Sequence, residues 1–121
     1  LNLCDFAHKG AECDIHPEVN RIIHEMMKAN KPLGFICIAP ALFARATKNT
    51  DKSIRITIGN DSTTADQIEN LGSQHEICPV DDFIVDEENK IVSTPAYMLA
   101  SSISEAASGI EKLVQKILAW V

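Results

Sequence analysis

A cysteine at the junction of a predicted strand and a predicted helix is the residue best placed for chemistry in this sequence. The apolar run Gly34-Phe35-Ile36-Cys37 predicts a buried strand, and the segment Ala41–Ala46 predicts a helix. A tight turn between them directs the junction side chain outward, and the free N–H groups of the helix point to the same place. The positive end of the helix dipole favours a thiolate there. We therefore predict that Cys37 is a nucleophile.

The residues around Cys37 leave two interpretations open. Ala39 is small, and Pro40 fits the first helical position because its missing N–H costs nothing there, so both favour a tight turn. Phe35 is bulky where the G-x-S-x-G pattern of nucleophile elbows has glycine. Free cysteines are also among the most buried residue types. A structural core cysteine is therefore the alternative to a nucleophile.

Composition and charge bound the class of protein. The chain has 121 residues, 45% of them hydrophobic and 23% charged, which is typical of one globular domain. The net charge of -6 argues against a nucleic-acid groove, and no apolar run is long enough to cross a bilayer, so we predict neither a nucleic-acid nor a membrane partner. The four cysteines are widely spaced, which argues against a metal site and a disulfide scaffold. We predict no metal, no cofactor and a reducing, cytoplasmic location.

Helices and short strands alternate along the sequence. Helices are predicted over residues 17–30, 40–48, 62–71 and 101–121, and strands over 34–37, 54–58, 75–78, 83–85 and 90–94. This order predicts an α/β fold with helices on both faces of a sheet, in which ligands bind beyond the carboxyl ends of strands. Cys37, Cys78, Thr94 and Pro95 all lie at predicted strand ends, so we predict that they share one pocket.

Three segments resemble a known protein family. They are KPLGFICIAPALFA, LGSQHEICPVDDFIVDEENKIVSTPAYMLA and EAASGIEKLV. They resemble the enhancing-lycopene-biosynthesis proteins, also called isoprenoid biosynthesis proteins with an amidotransferase-like domain. That family is similar to the class I glutamine amidotransferase-like superfamily, which includes the Parkinson-disease deglycase and the intracellular proteases. The resemblance implies a flavodoxin-like three-layer sandwich and a homodimer.

The resemblance covers the C-terminal part of a single domain of this kind, over residues 1–121. Family members also carry an N-terminal half with the first strands of the sheet, a Gly-rich loop and an acidic residue near the cysteine. The chain begins at Leu1 rather than at a methionine, which fits a fragment or a processed form. We expect the missing N-terminal half of the same domain to be a partner that covers an open sheet edge.

The resemblance also assigns roles to residues by position. Cys37 matches the elbow cysteine, and the N–H of Ile38 would form half of an oxyanion hole. Superfamily members place a catalytic His-Pro pair at the end of the next strand, where this sequence has Cys78-Pro79. His75 is a weaker candidate for the base, because an offset of three residues turns it to the other side of an extended strand. This departure argues against a Cys-His-Glu triad and against glutamine hydrolysis.

A glyoxalase-like activity on small reactive aldehydes, such as methylglyoxal and glyoxal, is the function that the turn and the resemblance favour together. The Cys37 thiolate would add to the aldehyde carbon while backbone N–H groups hold the oxyanion. The alternative is a non-catalytic or redox-sensing protein that is accessory to isoprenoid metabolism. In that alternative Cys37 is oxidised, with Cys78 as a resolving thiol.

Overall fold

Helices and short strands alternate through residues 2–121, the part of the chain described by the structure, a computed structural model. The helices are α1 (Phe6–Lys9), α2 (Pro17–Lys28), α3 (Ala39–Ala46), α4 (Ser62–Asn70) and α5 (Ile103–Trp120), with 3₁₀ turns at Gly10–Glu12 and Ala96–Met98. The strands are β1 (Leu33–Ile36), β2 (Arg55–Ile56), β3 (Gln74–His75), β4 (Ile84–Asp86) and β5 (Ile91–Thr94). This order confirms the predicted α/β class. None of the described helices combines the length and the apolar character that a bilayer crossing requires.

Polar side chains join two small sheets. Strand β5 pairs in parallel with β1 and antiparallel with β4, and β2 pairs in parallel with β3. The N–H of Thr57 donates to Ser93 Oγ at 2.9 Å, and the N–H of Arg55 donates to Asp86 Oδ2 at 3.0 Å. Ser93 and Asp86 are both buried. They therefore satisfy the backbone donors of Arg55, in β2, and of Thr57, directly after it.

Helices cover both faces of β1. Successive strand residues point to opposite faces. A Cβ added at Gly34 would lie 2.6 Å from Ile117 and 2.8 Å from Leu113, so α5 packs directly against this face. The next residue, Phe35, packs on Phe43 of α3 with ring centroids 4.4 Å apart. The result is the predicted order of helix, sheet and helix.

The segment 54–58 is more deeply buried than its alternating pattern predicts. Its three isoleucines and Thr57 are fully buried, and only Arg55 is exposed. Thr57 tolerates burial because its N–H donates to Ser93 Oγ and its Oγ1 accepts from the N–H of Gly59 at 3.0 Å. The prediction of a half-exposed strand was therefore wrong at this residue.

Two helix starts differ slightly from the predicted ones. Helix α3 begins at Ala39, so Pro40 is its second residue rather than its first. Helix α5 begins at Ile103, two residues after the predicted start, and Oγ of its N-cap Ser102 accepts from the N–H of Glu105 at 3.2 Å. Both changes are of one or two residues and leave the order of the elements unchanged.

Candidate functional site

Cys37 occupies the turn between β1 and α3. Strand β1 ends at Ile36 and α3 begins at Ala39. The N–H of Cys37 donates to the carbonyl of Thr94 at 3.0 Å, which continues the pairing of β1 with β5 up to the turn. Cys37 has a φ of 66°, in the left-handed region that residues with a side chain seldom adopt. Such strain concentrates at active sites and is a feature of strand-to-helix nucleophile turns.

Packing on both sides holds the turn in this conformation. Phe35 precedes Cys37 and Phe43 follows it, and their rings are tilted against each other in the core. Ala41 and Ala44 are fully buried, and their small side chains let α3 lie close to its neighbours. Phe35 therefore supports the turn, although it departs from the glycine of the elbow pattern.

Two backbone amides beside Cys37 have no acceptor among residues 2–121. Neither the N–H of Ile38 nor that of Ala39 donates a hydrogen bond there, and no side chain caps α3. The first N–H groups of a helix lack intrahelical partners, and the helix dipole makes this end favourable for negative charge. The two amides, which directly follow Cys37 in the chain, are thus free to donate to an anionic group.

A cavity of about 440 Å³ lies beside the turn. Ile36 and Ile38, the neighbours of Cys37 in the chain, both line it. The segment before α2 contributes another part of the lining, through Leu3, Cys4 and Phe6. The sequence gives no sign of this contribution, because the first fifteen residues have weak periodicity and no recognisable motif. The cavity is mainly apolar, so it suits a small molecule with an apolar end.

Cys37→Gly is expected to be more stable than Cys37→Ala by about 1 kcal/mol, because glycine adopts a positive φ without steric cost. The free energy of unfolding in urea measures the difference. The matched pair Cys78→Gly and Cys78→Ala, at a buried position without a positive φ, should show the opposite order. An alanine variant at residue 37 that is as stable as the glycine variant would show that the turn is unstrained.

His75 is not placed as a base for Cys37. It lies in β3, and its Nε2 accepts a hydrogen bond from the N–H of Ile58 at 3.2 Å. Burial lowers the pKa of His75 below its usual value. The ring is therefore a neutral acceptor that satisfies the backbone, and the prediction of a catalytic base at His75 finds no support in this geometry.

His75 should make the fold less stable in acid. The unfolded chain takes up a proton at an ordinary histidine pKa of about 6.5, whereas the folded chain resists protonation, so stability falls as the pH drops below that value. His75→Gln can still accept from Ile58 and should weaken this dependence. Urea unfolding at pH values above and below about 6.5 compares the two proteins. Equal losses of stability in acid would contradict the assignment.

Cys78, Thr94 and Pro95 do not line the cavity beside the Cys37 turn, so a pocket that they share with Cys37 stays a prediction. Cys78 is only 1% exposed, and burial raises the pKa of its thiol to about 11. The carbonyl of Thr94 accepts from the N–H of Cys37, but the Thr94 side chain is engaged elsewhere, because its Oγ1 donates to the carbonyl of Asp82 at 2.7 Å. The close approach of α5 to β5 buries this strand end, which the strand pattern alone does not reveal.

Comparison with known proteins gives a consistent family. No family model matches the sequence. The chain is 34% identical to the rat ES1 protein homolog, mitochondrial, over 97% of this chain and 46% of the relative. It is also 34% identical, with the same coverage, to the human glutamine amidotransferase-like class 1 domain-containing protein 3, mitochondrial. A solved structure of an isoprenoid biosynthesis protein with an amidotransferase-like domain from Ehrlichia chaffeensis superposes with a TM-score of 0.82 and 31% identity, over 88% of this chain and 49% of that one.

Over about half of their length, the chain is similar to the amidotransferase-like class 1 proteins. The predicted resemblance is therefore confirmed, and so is the flavodoxin-like fold class. The chain spans about half the length of these relatives. The assignment of residues 1–121 to the C-terminal part of the domain stays a prediction.

The predicted cytoplasmic location is corrected by the same comparisons. The rat and human relatives are named mitochondrial, and so is the zebrafish ES1 protein, which is 27% identical over 80% of this chain. The prediction rested on the widely spaced cysteines, which indicate a reducing compartment. Mitochondrial and cytoplasmic proteins both keep thiols reduced, so the cysteines do not separate the two locations.

Proposed function

We propose that this amidotransferase-like domain acts on small reactive aldehydes, such as methylglyoxal and glyoxal, through Cys37. The observation that carries the proposal is the strained turn at Cys37, with its φ of 66°. Unpaired amides and a largely apolar cavity lie beside the same turn. A thiol in this setting suits addition to a carbonyl carbon, because the amides can hold the oxygen that becomes negative.

The reaction begins with attack of the Cys37 thiolate on the aldehyde carbon. A C–S bond forms, the π electrons move to oxygen, and the N–H of Ile38 donates to the oxyanion. A base then moves the proton from that carbon to the neighbouring carbonyl carbon, which gives a thioester of a 2-hydroxy acid. Water hydrolyses the thioester and restores the thiol, so the overall reaction adds one water to the 2-oxoaldehyde.

The base must come from a group other than His75, whose acceptor nitrogen is bonded to Ile58. We propose that this base belongs to the half of the domain that the relatives contain and that the present chain does not cover. Strand β1 supports this proposal, because it pairs only with β5 among residues 2–121 and leaves one edge open for a further strand. A homodimer is a second proposal about partners, and light scattering that gives the mass of one chain would contradict it.

The test is turnover of methylglyoxal to the 2-hydroxy acid by the purified protein. Cys37→Ala should reduce turnover to background, since no other thiol lies in the turn. Cys78→Ala is the matched control, because it removes a buried thiol that lies outside the turn and should retain activity. Circular dichroism confirms that both variants fold. Turnover that survives Cys37→Ala would exclude the assignment.

A redox-sensing role is the second candidate, favoured by the commitment of His75 to the backbone. Cys37 is half-buried rather than enclosed, so peroxide can reach it and oxidise it to a sulfenic acid. Cys78 is a poor resolving thiol because it is buried and donates to the carbonyl of Pro79 at 3.4 Å. Mass spectrometry after mild peroxide treatment that finds Cys37 unmodified would count against this role.

A further inference from the structure

Cys4 and Cys13 form a pair of thiols at the start of the chain. Their sulfurs lie 3.6 Å apart, and both cysteines are free. Cys4 is half-buried and lines the cavity beside Cys37, whereas Cys13 is fully buried. The pair is separate from Cys37 and plays no part in the proposed aldehyde chemistry.

The backbone holds the two cysteines together. Cys4 forms an isolated antiparallel bridge with Ile15, and the N–H of His16 donates to the carbonyl of Leu3 at 2.8 Å. The N–H of Asp14 donates to Asp5 Oδ1 at 2.6 Å. These bonds fix the backbone on both sides of the thiols and thereby keep the two cysteines close together.

Cys13 is also tied to the body of the fold. Its carbonyl accepts from Arg45 Nε of α3 at 2.7 Å. Cys4 belongs to the segment that borders the cavity, together with Leu3 and Phe6. A covalent bond between the two sulfurs would therefore attach this segment to α3, the helix that begins at the Cys37 turn.

We propose that Cys4 and Cys13 are a reversible disulfide site that responds to hydroperoxides and that fixes the cavity-lining segment to α3. This inference is independent of the proposed function, since it requires neither Cys37 nor an aldehyde. The two sulfurs must approach from 3.6 Å to about 2.0 Å to form the bond.

The two thiols have different roles in the oxidation. The Cys4 thiolate attacks a peroxide oxygen, an S–O bond forms, the O–O bond breaks, and the hydroxide that leaves takes up a proton to become water. Cys13 then attacks the Cys4 sulfur, so an S–S bond forms, the S–O bond breaks, and the departing hydroxide leaves as water with the Cys13 proton. The two thiols lose two electrons and two hydrogens, and hydrogen peroxide is reduced to two waters.

Accessibility supports this order of attack. Cys4 faces the cavity, whereas burial, and next the hydrogen bond with Cys4, raise the pKa of the Cys13 thiol to about 12. Peroxide therefore reaches Cys4 first, and Cys13 acts second because it is buried and its sulfur lies 3.6 Å from that of Cys4.

The chain offers a direct test, because trypsin cleaves after Lys9, between the two cysteines. The protein is treated with hydrogen peroxide, its remaining thiols are blocked with N-ethylmaleimide, and it is digested without reductant. We expect the peptide that ends at Lys9 to be joined to the peptide Gly10–Arg21. The mass of the joined pair should equal the sum of the two peptide masses less two hydrogens, and dithiothreitol should separate them. Cys4→Ser and Cys13→Ser should each lose this species, and Cys78→Ser should retain it.

Three results would overturn the proposal. The first is that both cysteines are blocked by N-ethylmaleimide after peroxide treatment of the wild-type protein. The second is that Cys4 becomes a sulfinic acid while Cys13 stays a free thiol. The third is a disulfide from Cys4 to Cys37. The wild-type peptide map distinguishes all three, so the test does not depend on the folding of any variant, and loss of methylglyoxal turnover would not affect it.

Discussion

Asp86→Ala should lower the free energy of unfolding by about 3 kcal/mol, because several hydrogen-bond donors then lose their acceptor in the interior. Asp86 is 6% exposed. Its Oδ2 accepts from the N–H of Arg55 at 3.0 Å, and its Oδ1 accepts from the N–H and the Nδ2 of Asn89 at 3.0 and 3.1 Å. The side chain therefore connects β2 to the β4–β5 hairpin, and its loss affects both sheets.

Two further variants test this explanation. Glu88→Ala removes an exposed carboxylate from the same turn and should change stability by less than about 0.5 kcal/mol. Asp86→Asn keeps one carbonyl oxygen but loses the other acceptor, so it should fall between the wild type and the alanine variant. Urea unfolding provides the comparison. Equal stability of Asp86→Ala and Glu88→Ala would refute the proposed role of Asp86.

Gly109→Ala is expected to destabilise the protein by about 2 kcal/mol, although alanine is the better helix former by about 1 kcal/mol. A Cβ at this position of α5 would lie 2.6 Å from Thr94 Oγ1 and 2.6 Å from the carbonyl oxygen of Val80. The carbonyl belongs to the backbone and cannot rotate away. Helix α5 would therefore have to move off β5, and the shift would reach Cys37 because its N–H is bonded to Thr94.

Gln115→Ala is the matched control for Gly109→Ala, since Gln115 lies in the same helix at an exposed position. It should change the melting temperature little, while Gly109→Ala should lower it by several degrees. A Gly109→Ala protein that melts at or above the wild-type temperature would show that α5 does not contact β5 closely at this point.

The spacing of apolar residues and the turn residues predicted the helices and the hairpin that short stretches of sequence determine. The apolar face of α2 and the hairpin of β4 and β5 are visible in the sequence, and their bounds agree within two or three residues with those of the structure. Apolar spacing and turn residues determine such elements over short distances. The strand, turn and helix around Cys37 belong to the same group.

Contacts between distant segments were harder to predict. The turn Asp86–Asn89 reads as a solvated acidic tip, but Asp86 is buried because Arg55, far away in sequence, supplies a backbone donor. His75 binds the N–H of Ile58 for a similar reason. Cys4 and Cys13 read as widely spaced single cysteines, and the pairing of the segments around Cys4 and Ile15 brings them together. In each case the partner is set by tertiary packing, which sequence periodicity does not encode.

The rate at which each thiol is alkylated by iodoacetamide tests the central claim most directly, namely that the turn presents Cys37 as a nucleophile. The native and the urea-unfolded protein are pulsed with the reagent, and each cysteine is followed by peptide mass spectrometry. In the native protein, we predict that Cys37 is alkylated faster than Cys78. Native Cys37 should also react faster than Cys37 of the unfolded protein. Methylglyoxal bound to the native thiol should slow the alkylation of Cys37. A native Cys37 that reacts as slowly as the buried Cys78, with no protection by methylglyoxal, would contradict the account.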